Sequence, residues 1–98
     1  MAKKTATKSE KSYMDRVAQL PCVLTGERPV ELHHVREGQG MSERASNFLV
    51  IPLSPDAHRG PLGVHGDKTY MRIQKKEEMD LLGETIERVF TGIMRGEL

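Results

Sequence analysis

All four histidines of this 98-residue chain lie between His33 and Gly66, in a stretch so broken by glycine and proline that only short elements fit within it. They come as an adjacent pair, His33 and His34, followed by His58 and then His65, with Asn47 between. Whatever the rest of the chain does, it must frame this segment. The length allows one small domain with a core adequate for folding and little to spare. Hydrophobic residues make up 37% with no Trp, so packing must rest on Leu, Val, Ile and the six Met.

The flanks are simpler. The opening "MAKKTATKSEKS" carries four Lys against one Glu. Residues 1–8 read as a flexible basic tail ahead of a single domain over 9–98. "SEKSYMDRVAQL" predicts a helix with Ser9 or Ser12 as its cap and Pro21 closing it. "CVLT" and "VELHHV" are short β-prone runs joined by the turn-like "GERP", which predicts a hairpin. "FLVIPL" reads as a further strand segment. Ser54-Pro55-Asp56 supplies a cap, a proline at the first helical position and an acidic first turn, and Gly60 and Pro61 stop that helix early. Lys68–Gln74 is weakly helical. In the last stretch, Met79, Leu82, Ile86, Val89, Phe90 and Ile93 recur at helical spacing, which predicts an amphipathic helix with those residues inward. The fold class is therefore α+β.

Several classes of partner drop out. No apolar run suggests a signal peptide or a membrane span. A net charge of +1 argues neither for nucleic acid nor against it. The single Cys22 excludes an internal disulfide and suits a reducing cytoplasm.

The histidines sit where a metal site can be built. His33 and His34 end a predicted strand, His58 lies on the short capped helix, and His65 follows on the segment beyond it. A first-row ion needs imidazoles delivered to one point from separate elements, with coordination positions left open. Any one of these residues alone reads better as a solvated polar side chain; the four together, in this order, read better as a site.

The combination of "CVLTG", "ELHHV", "REGQGM", "SNFLVIPLS" and "VHG" resembles the HNH (ββα-metal) endonucleases, most closely the branch of the phage Ref nucleases, which are RecA-dependent. The resemblance runs from about Leu20 to Met71. It implies a ββα-metal centre flanked by an N-terminal and a C-terminal helix, a divalent ion (Mg, Mn, Ni or Zn) held by His33, His58 and His65, and a general base at His34. Asn47 would hold the loop that aims this base. It further implies DNA as substrate, a phage or prophage origin, and room for a protein partner such as a recombinase. Many members also hold a structural zinc through two CxxC pairs. Here those positions are Cys22 and Thr25, then Ser54 and Ala57, so the resemblance implies a knuckle at "CVLTG" that keeps its shape with no structural zinc.

Arg36, Arg44, Arg59 and Lys68 flank the histidines and are the candidate phosphate contacts. Glu31 reads either as a carboxylate behind a site residue or as a plain exposed strand residue, the second more readily, and Cys22 as a buried residue with nothing nearby to lower its pKa. Two other classes of function fit the same residues. One is a metal-stabilised DNA-binding module without turnover, and the other is a partner-binding subunit. In the first of these, His34 would be dispensable.

Strict alternation along a strand sends His33 and His34 to opposite faces. A single site using both requires a twist or bulge at the strand end.

Overall fold

The computed structural model describes residues 5–40, 45–60 and 69–97. Across these the chain is α+β, with four helices and one two-stranded antiparallel sheet. The elements are α1 (Lys8–Ala18), β1 (Glu31–His34), β2 (Val50–Leu53), α2 (Pro55–His58), α3 (Thr69–Ile73) and α4 (Glu78–Met94). No helix among the described residues is long and apolar enough to cross a membrane.

Helix α1 starts earlier than the sequence predicts. Its cap is Thr7, whose hydroxyl accepts from the Glu10 amide at 3.1 Å while the Glu10 carboxylate accepts from the Thr7 amide at 2.8 Å. This reciprocal box satisfies two otherwise orphaned amides, which a lone Ser9 or Ser12 cap would not.

The expected hairpin between "CVLT" and "VELHHV" does not form. The sheet pairs β1 with β2, in the register Glu31↔Leu53, Leu32↔Pro52, His33↔Ile51 and His34↔Val50. Cys22–Thr25 instead folds into a knuckle: the Gly26 amide donates to the Cys22 carbonyl at 2.8 Å and the Thr25 amide donates to Cys22 Sγ at 3.3 Å. Gly26 has φ +78, a conformation that costs other residues a Cβ clash. Only Val23 reaches the sheet, donating to the Pro52 carbonyl at 3.1 Å. Local turn bonds therefore outcompeted the β propensity of a four-residue run.

The ribbon is covered on both faces. Val35, Ile51 and Leu53 pack with Cys22, Val23, Ala57, Met71, Leu81 and Leu82. On the other face Val50, with Leu32, meets Val17 and Leu20 of α1 and Val89 of α4. Burial on both faces is why β2 reads as a continuous apolar run rather than an alternating one.

Helix α4 is where the sequence predicts, but it presents a different face. Its buried residues are Leu81, Leu82, Thr85, Val89 and Gly92. Met79, Ile86, Phe90 and Ile93, expected inside, are exposed, Phe90 by 62%. At 100° per residue the buried stripe is rotated about 80° from the most apolar one. Thr85 and Gly92 are small enough to lie between α4 and the elements it touches, α1 and β2. Thr85 satisfies its hydroxyl on the Leu81 carbonyl at 2.8 Å.

Candidate functional site

The ladder stays regular to the end of β1, and Val35 extends it by donating to the Leu49 carbonyl at 3.0 Å. No bulge brings His33 and His34 to one face. Their partners lie on opposite sides of the ribbon, and each imidazole has its own surroundings.

On one face, His33 is 2% exposed and its Nε2 lies 2.5 Å from Glu78 Oε2. Glu78 opens helix α4, and its carboxylate also accepts from the Arg36 amide at 3.0 Å and the Glu37 amide at 2.8 Å. Burial alone pushes this carboxyl up. The bonds from His33 and from the Arg36 and Glu37 amides outweigh it and leave the pKa below its ordinary value. Glu31, two residues before His33 on the same face, reaches His58 on α2, with Glu31 Oε1 2.9 Å from His58 Nδ1. Ser54 caps α2, its Oγ accepting from the Ala57 amide at 3.3 Å, and Pro55 sets the first helical φ, so His58 comes back over the end of the ribbon. Arg59 forks onto Glu31 at 3.1 and 2.7 Å. Hydrogen bonds from His58 and then Arg59 hold the Glu31 carboxyl below its ordinary range. Glu31 is thus engaged with the site, against its reading as a plain exposed strand residue.

These two imidazoles meet. The His33 and His58 rings lie edge to face with centroids 5.1 Å apart. Two imidazoles that each give one nitrogen to a shared first-row ion at about 2.1 Å have ring centres roughly 5 Å apart. Each ring also has a carboxylate on one nitrogen, Nε2 for His33 and Nδ1 for His58. In the neutral tautomers this puts the lone pair on the other nitrogen, the usual arrangement behind a metal-ligating histidine. Two such imidazoles suit a divalent ion in donor type and make up part of the set it needs. Among the described residues, no group of three or more His, Cys, Asp or Glu is placed to hold one. His65, the third ligand expected, lies outside the described residues, as do Arg44 and Lys68.

On the opposite face, His34 Nε2 lies 2.8 Å from Asn47 Oδ1, and Asn47 Nδ2 donates to Glu10 Oε2 at 3.0 Å. This chain fixes the protons. A carboxylate only accepts, so the amide must turn its NH₂ to Glu10 and its oxygen to His34. His34 Nε2 must then donate, and in the neutral ring the lone pair falls on Nδ1. Glu10 is itself pinned by the α1 capping box. Asn47 therefore bonds the imidazole directly, beyond the loop-holding role the sequence suggests.

The four positions aligned with zinc-binding cysteines do come together. Thr25 Oγ1 lies 3.5 Å from Ser54 Oγ, and Cys22 and Ala57 share the buried cluster. Burial pushes the Cys22 thiol up. Hydrogen bonds from the Thr25 side chain and from the backbone of Ser54, Thr25 and Leu24 outweigh it, so its pKa is lowered, contrary to the sequence reading.

Sequence reasoning missed Glu78 and Glu10. Both occupy the first turn of a helix, where acidic residues are common for reasons of capping and dipole alone, and nothing marked these two as different. Arg36 serves the site through its amide, while its side chain is exposed. Compared with known proteins, the chain matches no family model and no curated protein.

Proposed function

We propose that this protein is a divalent-metal-dependent DNA endonuclease of the HNH type, built on the β1–β2–α2 succession as a ββα-metal centre. The observation that carries the reading is the pair of carboxylate-backed imidazoles, His33 and His58, meeting at 5.1 Å beside a separately oriented His34. His33 and His58 are the ligands for the ion, with His65 as the third by sequence. When bound, the ion offsets charge on the scissile phosphate and on the departing 3′ oxygen.

The chain's own residues supply the rest. His34, held by Asn47 and Glu10 with Nδ1 as acceptor, takes a proton from water. The hydroxide attacks phosphorus, and the bond to the 3′ oxygen breaks. The substrate phosphate must bridge the end of the ribbon, where the two faces meet at His34 and Val50, because the strand sends base and ligands to opposite sides. Glu78, bonded to the amides that follow His34, holds that end in shape.

The test is nicking of supercoiled plasmid with Mg²⁺, Mn²⁺, Ni²⁺ and Zn²⁺. His34→Ala should keep metal and DNA binding and lose cleavage by a factor of roughly 10² to 10⁴. His58→Ala should lose both metal and cleavage. A His34→Ala variant cutting at the wild-type rate overturns the mechanism. A wild-type chain that binds metal and DNA but cuts with none of the four ions points to a binding module.

A further inference from the structure

Helix α1 carries Glu10 toward the candidate site and a row of basic residues on another side. There, between α1 and the C-terminal half of α4, lies an open hollow of about 880 Å³. Lys8, Lys11, Arg16, Arg28 and Arg88 line it, against the carboxylates of Asp15 and Glu97. None of these seven side chains forms an ion pair among the described residues. Arg28 is fixed at the rim by donating to the Gln19 carbonyl at 2.6 Å. Arg16 is distinctive, because its Nη1 is buried and has no hydrogen-bond partner. It stands on the wall between this hollow and a smaller one lined by Tyr13, Phe48 and Ile93.

A guanidinium is always charged and only donates, so enclosing Nη1 without an acceptor is costly, and the Arg16 side chain gains by turning toward an acceptor in the hollow it lines. The acceptor that suits a fork flanked by four further cations is a phosphate. We propose that this groove is a second phosphate-binding surface, one that seats the DNA backbone away from the histidines. The inference rests on DNA being the ligand, as proposed above. The groove residues 8, 11, 12, 15, 16 and 19 follow one stripe of α1, and Glu10 lies off that stripe. A strand seated there is therefore separated from the Glu10–Asn47–His34 chain by about one helix diameter, roughly 10 Å.

The experiment measures binding of a short fluorescein-labelled DNA duplex by anisotropy, in EDTA and across a salt series. Binding is then read without cleavage. Lys11→Gln with Arg88→Gln, both exposed positions, should weaken binding tenfold or more. It should also lower the slope of log affinity against log salt by roughly 1.5, since each phosphate contact contributes about 0.7 to 0.9. Arg16→Lys keeps the charge and loses the fork, and should weaken binding severalfold. Arg72→Gln, an exposed cation elsewhere, should leave affinity unchanged. Wild-type affinity and slope in both groove variants overturn the proposal, as does a wild-type chain that binds no DNA. Inorganic pyrophosphate binding that is lost in variants whose DNA binding is intact would assign the groove to a small phosphorylated ligand and overturn its DNA role. Groove-dependent binding in a chain that cuts with no metal would leave the groove standing and defeat the nuclease reading.

Discussion

His33 and His34 are neighbours on one strand, identical in chemistry and different in burial, face and partner. The first is buried, touches a second imidazole and is bonded to a carboxylate whose other donors are two backbone amides. The second is half-buried and meets a neutral amide, with a carboxylate one step further away. A carboxylate directly on the ring raises the electron density of the opposite nitrogen, which suits a ligand. An amide oxygen sets the tautomer without lending its charge, which suits a residue that must take a proton and release it. One residue of strand alternation is enough to separate the two roles.

After cleavage itself, stability should separate the faces most. His33→Ala should cost about 3 kcal/mol in urea unfolding in EDTA, because it opens a cavity and takes the imidazole partner from the part-buried Glu78 carboxylate. His34→Ala should cost about 1 kcal/mol, the value of one hydrogen bond. Equal costs would mean that the faces are not distinct.

Glu78→Gln follows on the His33 face, at about 2 kcal/mol at pH 7, since the amide loses the charge that His33 and two backbone amides answer. It should also change the pH dependence. The Glu78 carboxyl is held below its ordinary 4.5, so the folded chain takes up this proton less readily than the unfolded one. Its contribution is complete above that ordinary value and is lost as pH falls through the lowered one. Urea midpoints measured downward from pH 6 should fall more steeply for the wild type than for Glu78→Gln. Parallel curves would remove Glu78 from the account.

Glu10→Gln probes the other face more gently. A second amide at this position no longer dictates which way Asn47 turns, so the His34 tautomer loses its anchor. Cleavage should fall about tenfold, or about 1.4 kcal/mol, with metal affinity unchanged and the pH–rate profile displaced. A change in metal affinity instead would place Glu10 with the ligand face.

The smallest effect tests the packing beneath both faces. Phe90→Gln, on the exposed side of α4, should alter stability by no more than about 0.5 kcal/mol. Leu81→Ala, on the buried side, should cost about 2 to 5 kcal/mol. The reverse order would restore the face that hydrophobicity alone selects.

Elements with local signals were legible in the sequence. Ser54-Pro55 announces α2, the apolar spacing announces α4, and the order of His and Asn names most of the candidate site. The warning that adjacent histidines diverge came from strand periodicity and needed no contacts. Three things depended on tertiary structure. The sheet paired β1 with β2, and not with Cys22–Thr25, because the amides and thiol of that run found turn partners closer than a strand. The α4 face was chosen by what fits between packed elements, where Thr85 and Gly92 succeed and Phe90 does not. Glu78 and Glu10 reached His33 and the Asn47–His34 pair from positions 45 residues away and 37 residues away in sequence. Sequence determines what a residue can do, through its side-chain chemistry and the period of its element. Which carboxylate meets which imidazole is decided by long-range packing, because no local pattern encodes the approach of two distant helix ends.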